Sequence, residues 1–173
     1  MDDLSSSEEV TLIKADKAWV GLHLIPEEQR IFVDRTIIGV GWLSQFQAFL
    51  RSLRESGVLK HYDNGRQIEY GDIADLARGR GISTESLTLT NRNLIVSYKK
   101  GLLKKRDLTI MLSMEYAVFV QEKKRPKRLE MRFQMSKEDG DLVFFDLWLT
   151  RLGDTKVWLE RLDELIAERP KQQ

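Results

Sequence analysis

Positive charge is the most concentrated chemistry in this chain. Lys99, Lys100, Lys104, Lys105 and Arg106 fall in one short run, and Lys123, Lys124, Arg125, Lys127 and Arg128 in a second. Ammonium and guanidinium groups at this density attract phosphates or an anionic membrane surface, each charge contributing about 1 kcal/mol when it lies near such a surface. These residues form the candidate anion-binding site if both runs sit in loops at the same end of a sheet. The competing reading is that they keep hairpin tips soluble and stop strand edges from pairing with other chains. Asp107, Glu122 and Glu130 lie close by in sequence and weaken the field.

The other chemistry-bearing residues form no pattern that a reaction needs. His23 and His61 are the two histidines, and with no His-x-x-x-His spacing or carboxylate cluster beside them they make no zinc site; each reads as an ordinary strand residue. Gly39-Val-Gly41-Trp-Leu-Ser44 is a fragment of a dinucleotide-binding fingerprint that lacks its third glycine and its acidic partner. Gly65, Gly71, Gly79 and Gly81 lack the Lys-Ser/Thr ending of a phosphate loop, and turns account for them. Glu69, Asp72, Asp75 and Glu85 supply carboxylates, but nothing in their spacing fixes the separation that an acid and base pair requires. No catalytic residue, metal site or cofactor is expected, and the chain reads as a binding protein rather than an enzyme.

Composition limits what that binding can be. The 173 residues carry 28 basic and 27 acidic side chains, a net charge of +1, so no global field drives the chain onto nucleic acid or membrane, and any such attraction is local. Cysteine is absent, which removes disulfides and thiolate sites and fits a reducing compartment; a cytoplasmic location is expected. Residues 1–9 are acidic and Ser-rich, unlike a signal peptide, and read as a disordered tail. The longest apolar candidate, Thr36 to Leu53, is broken by Gly39, Gly41, Ser44, Gln45, Gln47 and Arg51, so no transmembrane segment is expected.

The elements that must position the basic runs follow from periodicity. Val10 to Ile25 reads as one or two strands, and Ile38, Trp42, Phe46, Phe49, Leu50 and Leu53 fall at helical spacing up to Gly57. The apolar stripe of that helix reads as a core face rather than an interface. Asn64-Gly65 between two β-prone stretches predicts a small hairpin, because both residues tolerate positive φ. Asp72 to Arg78 predicts a short helix. Beyond it the period changes to strands: Leu87 to Thr90, Leu94 to Tyr98, Leu108 to Leu112, Tyr116 to Val120, Arg128 to Met135 and Leu142 to Leu149. Lys123 to Lys127 is expected as a turn, and Leu129, Met131, Phe133 and Met135 alternate against a wet face of Glu130, Arg132 and Gln134. A last helix runs from about Asp154 to Glu168, with Val157, Trp158, Leu162, Leu165 and Ile166 on one face and Asp154 as its cap.

Taken together, Leu87 to Arg169 resembles the pleckstrin-homology-like superfold in its bacterial pleckstrin-homology and GRAM-type form. The resemblance rests on Leu87-Thr-Leu-Thr-Asn-Arg-Asn-Leu94, similar to an early strand of such domains, on Leu142-Val-Phe-Phe-Asp-Leu-Trp-Leu149, similar to their last strand, and on Lys156 to Ile166 with Trp158, similar to their closing helix. It implies an α+β fold, a strongly bent antiparallel sheet capped by a C-terminal amphipathic helix. The N-terminal strands and helices, residues 10–83, would then pack on a module of residues 84–169, with residues 170–173 disordered. The expected role is first a protein-protein adaptor and next a binder of anionic lipid or phosphate through the basic loops; the resemblance implies the latter, since several such domains bind acidic lipid headgroups between early loops. A different pattern competes. Gly71 to Leu87 resembles the helix, turn and recognition-helix start of winged-helix transcription factors, and Tyr98 to Arg106 the run leading to the wing. There, Thr84, Ser86, Thr88 and Arg92 would face DNA, which requires a helix from Thr84 to Tyr98.

Overall fold

The computed structural model describes residues 8–23, 55–68, 81–136 and 142–168. The expected helices at Ile38 to Leu53 and Asp72 to Arg78, most of the N-terminal tail and the last residues lie outside this set. The described strands are β1 (Thr11–Asp16), β2 (Trp19–His23), β3 (Leu59–Asp63), β4 (Arg66–Ile68), β5 (Ile82–Ser83), β6 (Ser86–Thr90), β7 (Asn93–Lys100), β8 (Arg106–Ser113), β9 (Ala117–Lys124), β10 (Lys127–Ser136) and β11 (Leu142–Thr150); α1 (Thr155–Ala167) follows. They form two antiparallel sheets, ordered β1-β6-β7-β8-β3-β4 and β5-β2-β11-β10-β9, and neither closes on itself. The class is α+β.

The two sheets share a bent ribbon. β1 pairs with β6 in the first sheet and β2 with β5 in the second, with only Lys17 and Ala18 between β1 and β2 and only Thr84 and Glu85 between β5 and β6. Two neighbouring segments therefore cross from one sheet to the other side by side, as strands do where they turn a corner. Lys17 makes the bend with a φ of 58°, Ala18 is fully buried, and the Thr84 amide donates to the Ala18 carbonyl at 2.8 Å. The first sheet grows from the β6 side of this ribbon and the second from the β2 side.

Period-2 alternation fills the core. Leu94, Val96 and Tyr98 of β7, Leu108, Ile110 and Leu112 of β8, and Leu129, Met131, Phe133 and Met135 of β10 are all buried. Phe133 sits opposite Phe145 of β11, and their rings stack at 4.9 Å. α1 lies against β9, β10, β1 and the 3-10 turn Met114–Tyr116, burying Trp158, Leu162 and Leu165 at helical spacing. Asp154 caps it, its carboxylate accepting from the Val157 amide at 3.2 Å.

One competing pattern falls and three expectations change. The helix that a winged-helix protein needs over Thr84 to Tyr98 is instead β6 and β7, because Leu87, Leu89, Leu94 and Val96 bury themselves at period two. The basic segment Lys123 to Lys127 is mostly strand: β9 runs through Lys124 and β10 starts at Lys127, leaving Arg125 and Pro126 as the turn. Tyr116 belongs to the 3-10 turn rather than to β9. Glu130, expected on a wet face, is only 8% exposed, because Arg128 and Gln121 fold over it. At the other end of the chain, Glu8 and Glu9 hold the β6–β7 turn. The Glu9 carboxylate accepts from Thr90 and Asn93, and the Glu8 carbonyl accepts from Asn91.

Candidate functional site: two basic hairpins

The first basic run is the tip of the β7–β8 hairpin. Its last buried rung pairs Tyr98 with Leu108; beyond it, Lys99 faces Asp107 and Lys100 faces Arg106, all four exposed. Gly101 to Lys105 close the loop. The base is braced by β3 and its turn. Asn64 and Gly65 take φ of 51° and 83°, the mirror-image turn that Asn-Gly favours, and place Asn64 beside β8. The Asn64 amide donates to the Asp107 carbonyl at 2.8 Å, and the Asp107 amide donates back to the Asn64 side chain at 3.2 Å. Arg106 bonds the Asp63 carboxylate through Nε at 2.9 Å, and Lys99 lies 3.9 Å from Asp107. At the apex, Leu102 and Leu103 are 98% and 102% exposed.

The second run is the tip of the β9–β10 hairpin. Lys123 faces Arg128 and Lys124 faces Lys127. Arg128 folds back onto its own strand. Its Nε donates to Glu130 at 2.7 Å and its guanidinium lies 3.9 Å from the Trp148 ring centre. One residue pair further along the same face, Arg132 bonds Asp146 at 2.8 Å and sits over the Phe119 ring. The Asp146 hydrogen bond raises the pKa of Arg132 against the opposing effect of burial, so that guanidinium stays charged.

The two runs do not lie in one sheet. They belong to different sheets that grow from opposite sides of the bent ribbon. Of the ten candidates, Lys99, Arg106 and Arg128 are in ion pairs, whereas Lys104, Lys105, Lys123, Lys124, Arg125 and Lys127 are exposed with no ion pair to any described acid. The sequence reading missed Leu102 and Leu103. The available signal was a Leu-Leu pair preceded by glycine and bracketed by lysines, which marks a loop apex rather than a strand.

Among the described residues no other site competes. His61 is buried on β3 with Nε2 3.0 Å from the Tyr98 hydroxyl, a core contact, and His23 lies on β2. Among the described residues no cluster of three or more His, Asp or Glu residues could hold a metal ion, and no helix is long and apolar enough to cross a membrane. No protein-family model, curated protein or solved structure matches the chain, so the functional reading stands on the two hairpins.

Proposed function

We propose that the chain is a non-catalytic binding module that recognises phosphate-bearing anionic surfaces, foremost an anionic membrane, through its basic hairpins. The observation that carries this is the rung pattern: Lys100 faces Arg106, Lys123 faces Arg128 and Lys124 faces Lys127. Like charges directly opposite on adjacent strands repel. A hairpin tip that served only solubility would gain from one lysine against one glutamate. At Lys124 opposite Lys127, both exposed and neither paired with a described acid, a phosphate between the two cations removes the repulsion that folding builds in.

The fold that accompanies this reading is a pleckstrin-homology-like partial barrel. The meander β6–β7–β8, the meander β9–β10–β11 and α1 with Trp158 as its plug support it. A cytoplasmic setting fits as well, since the cytoplasmic leaflet carries the anionic lipids and the chain lacks cysteine. A second reading, a protein-protein adaptor, is favoured by β9, which ends the second sheet and exposes Val118 and Phe119.

Co-sedimentation with phosphatidylcholine vesicles, with and without phosphatidylserine, tests the proposal. The intact chain is expected to pellet only with the anionic vesicles, and less so as salt rises. Replacing Lys99, Lys100, Lys104 and Lys105 by Gln should weaken partitioning by on the order of 100-fold or more. Pelleting no greater than on phosphatidylcholine alone sinks the lipid reading and leaves the adaptor.

A further inference from the structure

We infer that the β7–β8 hairpin is a membrane-inserting wedge: Leu102 and Leu103 enter the acyl region of the bilayer while the surrounding cations hold its anionic headgroups. This rests on the anionic-surface reading and deepens it.

Scattered exposed leucines are ordinary, but this adjacent, fully exposed pair at the apex of a hairpin packs against nothing among the described residues. The apex is built, not frayed. Gly101 has a φ of 120°, and a Cβ there would lie 2.5 Å from the Lys104 carbonyl oxygen, so the loop folds back on itself and holds Leu102 and Leu103 at the turn. Below them the hairpin is clamped by Arg106 to Asp63 and by Asn64 to Asp107, which gives the wedge a firm shaft.

Charge decides the occupant. Lys99 and Lys100 precede the leucines and Lys104, Lys105 and Arg106 follow, against Asp107 in the hairpin and Asp63 beside it. A second copy of this tip would set the same cations against each other. An anionic bilayer satisfies both parts at once, apolar chains beneath phosphates, and the lysine stems can lie along the apolar boundary with their ammonium groups at headgroup level. The β9–β10 tip carries Arg125 and Pro126 where the other carries leucines, so it offers no apolar apex to insert.

Because the chain has no cysteine, one engineered thiol gives a unique probe. The Leu103→Cys and Arg125→Cys chains, each carrying an environment-sensitive fluorophore, are mixed with phosphatidylcholine/phosphatidylserine vesicles. The label at 103 should shift to the blue and be quenched by nitroxides on the acyl chains; the label at 125 should not be quenched by them. Unlabelled Leu102→Ser/Leu103→Ser protein should partition on the order of 10- to 100-fold more weakly while keeping its salt dependence. If that double variant binds like the parent, or the label at 103 stays in water on vesicles that the protein does bind, the wedge is overturned and the electrostatic reading survives. If the parent protein binds no anionic vesicle, both fall. Protection of the label at 103 by a second copy or a protein partner, and not by vesicles, also overturns the wedge.

Discussion

Both basic hairpins extend two rungs past the last rung that has a buried member, Tyr98 with Leu108 in β7–β8 and Glu122 with Leu129 in β9–β10, and both place cations opposite cations there. They are secured differently. In β7–β8 the cation at the base reaches sideways to a neighbouring strand, Arg106 to Asp63, and the five-residue loop is left clear. In β9–β10 the cation at the base turns back along its own strand to Glu130 and over Trp148, and a two-residue turn closes the tip. The lesson is that charge sets what a hairpin attracts, whereas loop length and apex residues set how far it goes in. On the wedge proposal, bracing by a neighbour frees one tip to insert, and bracing by its own outer face keeps the other out of the bilayer.

The largest expected difference lies at the two braces. Glu130→Ala leaves Arg128 partly buried with its carboxylate gone and Gln121 without its acceptor, and should cost about 2 kcal/mol. Asp63→Ala removes a pair whose Arg106 side chain is already 46% exposed, and should cost under about 1 kcal/mol. Urea midpoints at constant m-value read both. Equal costs would mean that the two hairpins are anchored alike, and the contrast would be lost.

Next comes the apex of β7–β8. Gly101→Ala puts a Cβ against the Lys104 carbonyl and an L-residue at a φ of 120°, a strain of about 1 kcal/mol or more. Because the tip lies beyond the core, the strain should be released by local opening rather than by global unfolding. Hydrogen exchange is expected to speed up at residues 102–105 and stay unchanged at Leu108 to Leu112. A lower global midpoint with unchanged exchange at the tip would show that the loop is not the separately built unit described here.

What the sequence made legible follows the range of the forces involved. Alternation in Leu129, Met131, Phe133 and Met135, the Asn64-Gly65 turn and the Asp154 cap with Trp158 and Leu162 behind it are local patterns, and the structure contains each of them. The bend at Lys17 and Ala18 was not legible, because it depends on β6 lying beside β1 some seventy residues on in the chain, where the Thr84 amide meets Ala18. Glu130 misled because its burial is made by Arg128 and Gln121, one of them on the neighbouring strand. The cationic residues of the site could be read from composition alone. The apex leucines could not, since Leu102 and Leu103 look like core residues until one sees that both strands have already left the core behind.

The smallest effect is the most direct test of whether the facing cations exist for binding. In the β9–β10 hairpin Lys124 stands opposite Lys127, both exposed and neither paired with a described acid. Lys124→Glu turns that rung into an attractive one and should stabilise the fold by roughly a few tenths of a kcal/mol, within the range for cross-strand charge pairs. Glu122 on the same face of β9 takes back part of this gain. The same change removes one cation from the surface and adds an anion, so partitioning onto anionic vesicles should fall by on the order of 10-fold. A gain in stability with a loss in binding is the signature of a charge arrangement kept for its ligand. Stability and vesicle binding rising together, or binding left untouched, would reduce the β9–β10 tip to a solubilising edge and leave β7–β8 as the sole working hairpin.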